Sequence, residues 1–533
     1  MIGKQKGKTS MVTIEQEFEP VAETLSPIKK DNDLFPPIRV YIKERTRLLE
    51  IYPVRMPYAY STITFDQESH QIKYLAVEPT LLEKEAESLK IIQDHLRTTL
   101  NTPLEQIGGR DKAIAVMKNG MEEAVKLYKL TLDAPVSEIM LYYIIRDYLD
   151  YGKLDLMMKD PMIEDVSCNG PKIPLYIWHR KYESIPTNVK YDNDEELDSF
   201  IIRLAYKGKR MISVATPLLD ASLPEGSRVQ LTYGRYATKQ GSTYTIRKFK
   251  EDPLTIIDLI INGTISAEMA AFFWYLVENK ISIFVCGGVA SGKTTMLNGL
   301  SIFITPDAKI VTIEDTPEVQ LYHQNWIRGV TRPATASSGG IELFDLLKAS
   351  MRQRPDYILV GEIRGAEAYT LFQAMSTGHL GLATLHAESA DSALRRLETE
   401  PMNIPRMMIA SLNMIVIMAR REINGKPTRR VISCDEVKGL DDEGEIIHEA
   451  LFQWDPKEDK WDMPSESYFL KKAAIAKGIT VEDALNDIKT RTDLLTFMVN
   501  QNKRTFIDVS QFIRDYAKTP GIVGDSIQGN ERR

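Results

Sequence analysis

Residues 281–300 read ISIFVCGGVASGKTTMLNGL, an apolar β-branched run, then a glycine-rich segment, then a helix-leaning stretch. Gly287 and Gly292 enclose four residues, and Lys293 and Thr294 follow at once, so the pattern G-x-x-x-x-G-K-[ST] is complete. Nothing else constrains the fold as tightly. A strand must end, the backbone must turn where glycine allows positive φ, and a helix must begin within a few residues. Backbone N–H groups and the helix N-terminus then face one point and form an anion site. Gly287, Gly288, Ser291, Gly292, Lys293, Thr294 and Thr295 are the expected phosphate-binding residues, Lys293 on the β- and γ-phosphates and Thr294 on Mg²⁺. The plain alternative, a glycine turn before an ordinary helix, is disfavoured by the strand and helix patterns on either side.

The pattern around this segment alternates. ISIFVCG, AKIVTIED, DYILVGE and LGLATLH read as buried strands, separated by the helical stretches TTMLNGLSIFI and GIELFDLLKASMR. Such alternation predicts an α/β domain with a parallel sheet and helices on its faces. NMIVIMARR and RRVISCDEV, separated by EINGKPT, read as a closing hairpin.

Hydrolysis of a bound nucleotide needs a group that orients water, and the metal needs support. Ligands of parallel sheets sit at the carboxyl ends of strands. Two acidic ends qualify: Glu314–Asp315, with Glu318 beyond, and Glu362. Glu314 and Glu362 are the expected catalytic carboxylates and Mg²⁺ supports, and Glu318 is ranked below them. Gly361 stands where many phosphate-loop enzymes carry a metal-linked aspartate, so Glu362 is expected to act on water more than on the metal directly. His386 follows the strand GLATL and is expected to meet the γ-phosphate, whereas His379 reads equally well as a structural histidine. ATP and Mg²⁺ are the expected ligands.

The flanks carry less chemistry. Residues 1–35 are polar and read as a disordered lead. Residues 36–150 combine short β-rich runs with amphipathic helices and read as an N-terminal module. Residues 151–250 read as a smaller mixed α/β domain, with SRVQLTYG and STYTIRKF as a hairpin. A linker is expected at 251–262, the nucleotide domain at 263–437 and a helical extension at 438–533. The formal net charge of −7 argues against a protein that coats nucleic acid. The three cysteines form no CxxC pair, so no zinc ribbon is expected. No apolar run reaches membrane-spanning length and no secretory signal opens the chain, so a cytoplasmic protein with indirect membrane contact is expected.

Taken in order, GGVASGKTT, VTIEDTPEVQL, LVGEIRGAEA and TGHLGLATLHAESA resemble the secretion ATPase superfamily, which includes motors of type II secretion and type IV pili. FDLLKASMRQRPDYILVGEIRG, PEGSRVQLTYGRYATKQGSTYTIRKF and DPMIEDVSCNG further resemble the archaellum and archaeal pilus motors, over roughly residues 151–437. The resemblance implies a RecA-like P-loop domain closed on by the smaller N-terminal domain, in a homo-hexamer beside a polytopic membrane platform protein. It also implies that Arg228 and Arg247 contact phosphates; Arg364 and Arg354 are weaker candidates for the site or a subunit interface. The expected function is Mg²⁺-dependent ATP hydrolysis that powers a type IV pilus-like filament from the cytoplasmic face of the membrane. The alternatives are a DNA-translocating hexameric ATPase, for which Gly208–Arg210 and Thr428–Arg430 are the modest basic clusters, and a non-catalytic nucleotide-binding regulator.

Overall fold

A computed structural model describes residues 45–99, 108–249, 253–332, 339–423, 425–462 and 466–518. The expected disordered lead lies outside these residues. The chain divides into two compact units, residues 1–250 and 251–533.

The first unit is built on a sheet of β1 (Thr46–Arg55), β2 (Ala59–Asp66), β3 (Gln71–Val77), β4 (Ile163–Cys168), β5 (Pro174–His179), β6 (Glu183–Lys190), β7 (Leu218–Ser222), β8 (Arg228–Thr232) and β9 (Thr243–Arg247). Their order is β1-β2-β3-β6-β5-β4-β9-β8-β7. The first three strands join the rest through a parallel bridge, Tyr74 to Thr187, so the stretches 36–150 and 151–250 share one sheet. Helices α1 (Glu83–Thr99), α2 (Arg110–Leu127) and α3 (Ala134–Tyr148) bury Leu89, Ile92, Leu96, Met117, Met140 and Ile144 against one another. α4 (Asp155–Lys159) precedes β4, and α5 (Asp194–Lys207) places Leu197, Ile201 and Leu204 in the sheet's core cluster. Asn193 caps α5 by accepting the Glu196 amide, and three acidic residues in the first turn suit the helix dipole.

The second unit opens with α6 (Ile256–Ile261), α7 (Ala267–Glu278), β10 (Ile283–Gly287), α8 (Lys293–Ser301), β11 (Ile310–Glu314) and β12 (Trp326–Val330). It continues through α9 (Leu343–Ser350), β13 (Tyr357–Ile363), α10 (Glu367–Ser376), β14 (Leu380–Leu385), α11 (Ala390–Glu398) and α12 (Arg406–Ile409). Then come β15 (Met414–Ile423), β16 (Lys426–Leu440), β17 (Ile446–Asp455), β18 (Lys460–Trp461), α13 (Tyr468–Lys477), α14 (Val481–Asn500) and α15 (Phe506–Lys518). The sheet order is β12-β11-β13-β14-β10-β15-β16-β17-β18, parallel through β15 and antiparallel beyond it. This is the parallel α/β sheet that the alternation predicts.

Successive residues of its strands point to opposite faces, and both faces are covered. Ile283, Val285, Tyr357, Leu359, Met414 and Val416 face the cluster that holds α7, α8 and α13–α15. Phe284, Cys286, Ile358, Val360, Ile415 and Ile417 face the cluster of α9–α12. Two-sided burial explains why these strands read as continuous apolar runs. α7 is apolar around its whole circumference and buried from Met269 to Val277, because α13–α15 cover the side that the sheet does not. Trp274 stacks on Phe303, with ring centroids 5.4 Å apart, and the Arg491 guanidinium lies 4.8 Å from the Trp274 ring centroid, ion-paired to Asp487 at 3.0 Å.

Candidate phosphate site

β10 ends at Gly287 with φ +156°, and a side chain there would meet the Met418 carbonyl at 2.4 Å. Gly292 caps α8 at φ +94°. Between them Ser291, almost fully buried, donates from Oγ to the Gly288 carbonyl at 2.9 Å. Lys293 Nζ donates to the carbonyls of Gly287 at 3.1 Å and Gly288 at 2.9 Å. Burial holds the Lys293 amine below its usual value, against opposing attraction from Glu362 and, more weakly, Glu318. Lys293, Thr294 and Thr295 form the first turn of α8, where backbone N–H groups have no intrahelical acceptor.

Strand register aligns the acidic ends with this loop. Ile313 pairs with Val360, Val360 with Ala383, and Leu385 with Cys286. Glu314, Glu362, His386 and Gly287 therefore end neighbouring strands on one edge, where ligands of such sheets bind. Glu362 accepts from Arg364 Nε at 3.0 Å, and Arg364 also lies 3.6 Å from Asp315. Asp315 in turn accepts from Thr331 Oγ1 at 3.1 Å. Arg396 on α11 donates to the His386 carbonyl at 2.6 Å.

Glu314 differs from its expected setting. It is 1% exposed, and its Oε1 accepts the amides of Glu318 and Val319, each at 2.8 Å. Burial pushes its carboxyl up to about 7. It is built as the clamp of the turn that carries Glu318, and its Oε2 is a buried oxygen with no partner. Glu318, ranked lower from sequence, is partly exposed and electrostatically linked to Lys293. Its place follows from the bonds to Glu314 Oε1, which hold residues 318 and 319 at the end of β11, and no local sequence signal announces them. Glu314 also crowds position 361: a Cβ there would stand 3.2 Å from Glu314 Cγ, so an aspartate would require the Glu314 side chain to shift.

His379 caps the end of α10, with Nδ1 3.1 Å from the Ala374 carbonyl, and takes no place on the phosphate edge. Arg354 precedes β13 and so lies towards the opposite end of that strand from Glu362. Arg228 and Arg247, in the first unit, are directly opposite each other on β8 and β9, and both are exposed. Asp165 on β4 stands opposite Arg247 on the other side. Lys248, next in the chain, ties the end of β9 to α4 and its C-cap by donating to the carbonyls of Met157 at 2.9 Å and Asp160 at 2.5 Å.

Magnesium prefers hard oxygen ligands and keeps much of its water. The Thr294 hydroxyl and the Glu362 carboxylate fit that chemistry, with Glu318 as a further oxygen donor on the same edge. Glu314, buried and holding two amides, fits as a support for this set and not as a direct ligand. Among the described residues no group of three or more His, Cys, Asp or Glu forms a closed metal centre. No helix among them is long and apolar enough to cross a membrane.

A family model described as "Type II/IV secretion system protein" matches residues 152–457, more than half of the chain. The uncharacterized protein MJ0900 of Methanocaldococcus jannaschii is 37% identical over 72% of this chain and 71% of its own length. Type IV secretion system protein PtlH of Bordetella pertussis is 33% identical over 42% of this chain and 76% of its own. Among solved structures, the VirB11 ATPase from the Brucella suis type IV secretion system, in complex with sulphate, is 24% identical; the match covers 53% of this chain and 91% of that one, with a TM-score of 0.27. With its phosphate loop, strand-end acids and matched span, the chain belongs to the type II/IV secretion system protein family.

Proposed function

We propose that this protein is a Mg²⁺-dependent ATPase that works as a homo-hexamer and powers a type IV pilus-like filament through a membrane platform protein. The observation that carries the reading is the shared sheet edge, on which the phosphate loop, Glu362 and His386 end adjacent strands. Amides of the loop and of the first turn of α8 bind the triphosphate, and Lys293 leaves its resting carbonyls to neutralise the β- and γ-phosphates. Magnesium, when bound, supplies positive charge to the phosphate oxygens, and Thr294 and Glu362 are the residues that would hold it and its water. Glu362 takes the proton of the attacking water as the bond to the leaving ADP breaks. Glu314 keeps Glu318 at the edge, and His386 donates a hydrogen bond to the terminal phosphate. On the resemblance, Arg228 and Arg247 are assigned to the same phosphate charge, which would tie turnover to movement of the first unit.

The filament reading rests on the resemblance to archaeal motors, and family membership supports the ATPase reading. The DNA-translocating reading loses support from the Thr428–Arg430 cluster. Arg430 is buried in a two-pronged pair with Asp459, both contacts at 2.8 Å, and Arg429 is engaged by the phosphate loop. The regulator reading is disfavoured by the intact set Lys293, Glu314, Glu362 and His386. A steady-state assay separates the three. The filament motor splits ATP only with Mg²⁺ and is not accelerated by single- or double-stranded DNA. A rate raised about tenfold or more by DNA would favour translocation, and no turnover at all would favour the regulator.

A further inference from the structure

The hairpin of β15 and β16 makes a wall of the phosphate loop, and one arginine on it has no part in the scheme above. Arg429, opposite Arg420 in the hairpin register, is exposed and donates from Nε to the Ala290 carbonyl at 3.0 Å, across 139 positions of sequence. Its Cδ stands 3.1 Å from where a Cβ on Gly292 would be. Met418, on the partner strand, closes the other side with its carbonyl against Gly287. Ala290 itself has φ +57°, a left-handed conformation that costs a non-glycine residue about 1 kcal/mol or more and persists only when neighbours hold it.

A planar trans peptide directs its C=O and the following N–H to opposite sides. Three loop carbonyls are taken by donors: Gly287 and Gly288 by Lys293, Gly288 also by Ser291, and Ala290 by Arg429. Lys293 must leave its two carbonyls to reach phosphate. Arg429 can stay where it is, holding the 290–291 peptide with the Ser291 N–H on the side away from the hairpin.

We infer that Arg429 is a positioning residue for nucleotide binding: it holds the Ala290 carbonyl so that the Ser291 amide is preset for a phosphate oxygen, and so links the β15–β16 hairpin to occupancy of the loop. This rests on the ATPase reading, and it assigns Arg429 to binding and not to the chemical step. The test compares wild type, Arg429→Gln and Arg429→Lys in Kd for ADP, KM and kcat for ATP, and melting temperature without nucleotide. Arg429→Gln is expected to raise Kd and KM about tenfold with kcat within about twofold, the signature of lost uniform binding. Arg429→Lys, which returns a cationic donor, is expected to recover part of that loss. Nucleotide-free melting is expected to move by less than about 2 °C, since the side chain is exposed. Unchanged Kd and KM in Arg429→Gln would overturn the inference. So would a fall in kcat at constant KM, or a binding loss matched by a melting loss of more than about 5 °C. If wild type binds neither ATP nor ADP, it is the ATPase reading that fails, a result distinct from all of these.

Discussion

Gly361 and Glu314 are best understood as a pair. The side-chain stem of Glu314 lies beside residue 361, and its carboxylate accepts the amides of Glu318 and Val319. From the sequence, three acids after a strand were visible, but their division of labour was not, because it depends on which one the next turn buries. His379 reads equally well as structural from the sequence, and its bond to the Ala374 carbonyl at the end of α10 gives it that structural contact. The loop residues were legible because each has a local requirement: positive φ at Gly292, a small residue at Gly287, a cation at Lys293. Lys248 was invisible for the opposite reason, since its acceptors lie on α4, about ninety positions earlier in the chain. Burial pulls its amine from the ordinary 10.5 down to about 8. The unfolded chain therefore binds the extra proton between those values, and the folded state gains stability as pH rises through that window. Relative to Lys248→Met, wild type should gain about 2–3 kcal/mol between pH 7 and pH 10.5 in calorimetric melting of the first unit. A difference that stays flat or shrinks with rising pH would remove the assigned burial cost.

Among the elements, the four strands that border the phosphate edge were readable because parallel strands buried on both faces are continuous apolar runs. The β15–β16 hairpin was readable from its turn residues. α6 was expected within a linker: a six-residue apolar run does not distinguish helix from strand, although Thr255 and Asp258 carry the capping-box spacing that the structure uses. β17 interrupts what was read as a helical extension, and register breaks at Cys434–Asp435 and Val437–Gly439 in its partner blur the period-two pattern. The anchoring of α13 had no motif to announce it, since it involves a buried carboxylate on β16. Glu436 on β16 accepts from the Ser467 hydroxyl at 2.6 Å and from the amides of Tyr468 at 2.9 Å and Phe469 at 3.1 Å, at the start of α13. Glu436→Ala should cost about 2–4 kcal/mol by leaving those donors unpaired, and should raise hydrogen exchange across 468–477 ahead of the sheet. Equal protection in wild type and variant would mean that packing alone holds the helix.

At the scale of the whole molecule, each unit has its own sheet and core: the phosphate edge belongs to the second and the opposed arginines to the first. The family and the RecA-like architecture were legible from four motifs in order, whereas the union of β1–β3 with the following strands was not, because it runs through the Tyr74–Thr187 bridge. The proposed function assigns holding nucleotide and splitting it to different residues of one edge. The most direct measurement is therefore the paired Kd and kcat of wild type and Glu362→Gln with Mg²⁺ and ATP. The variant should bind ATP within about threefold of wild type while kcat falls about 10²-fold or more, as expected on removing a general base. Full turnover by Glu362→Gln, or no turnover by wild type, would contradict the assignment of this edge as an ATP-hydrolysing site.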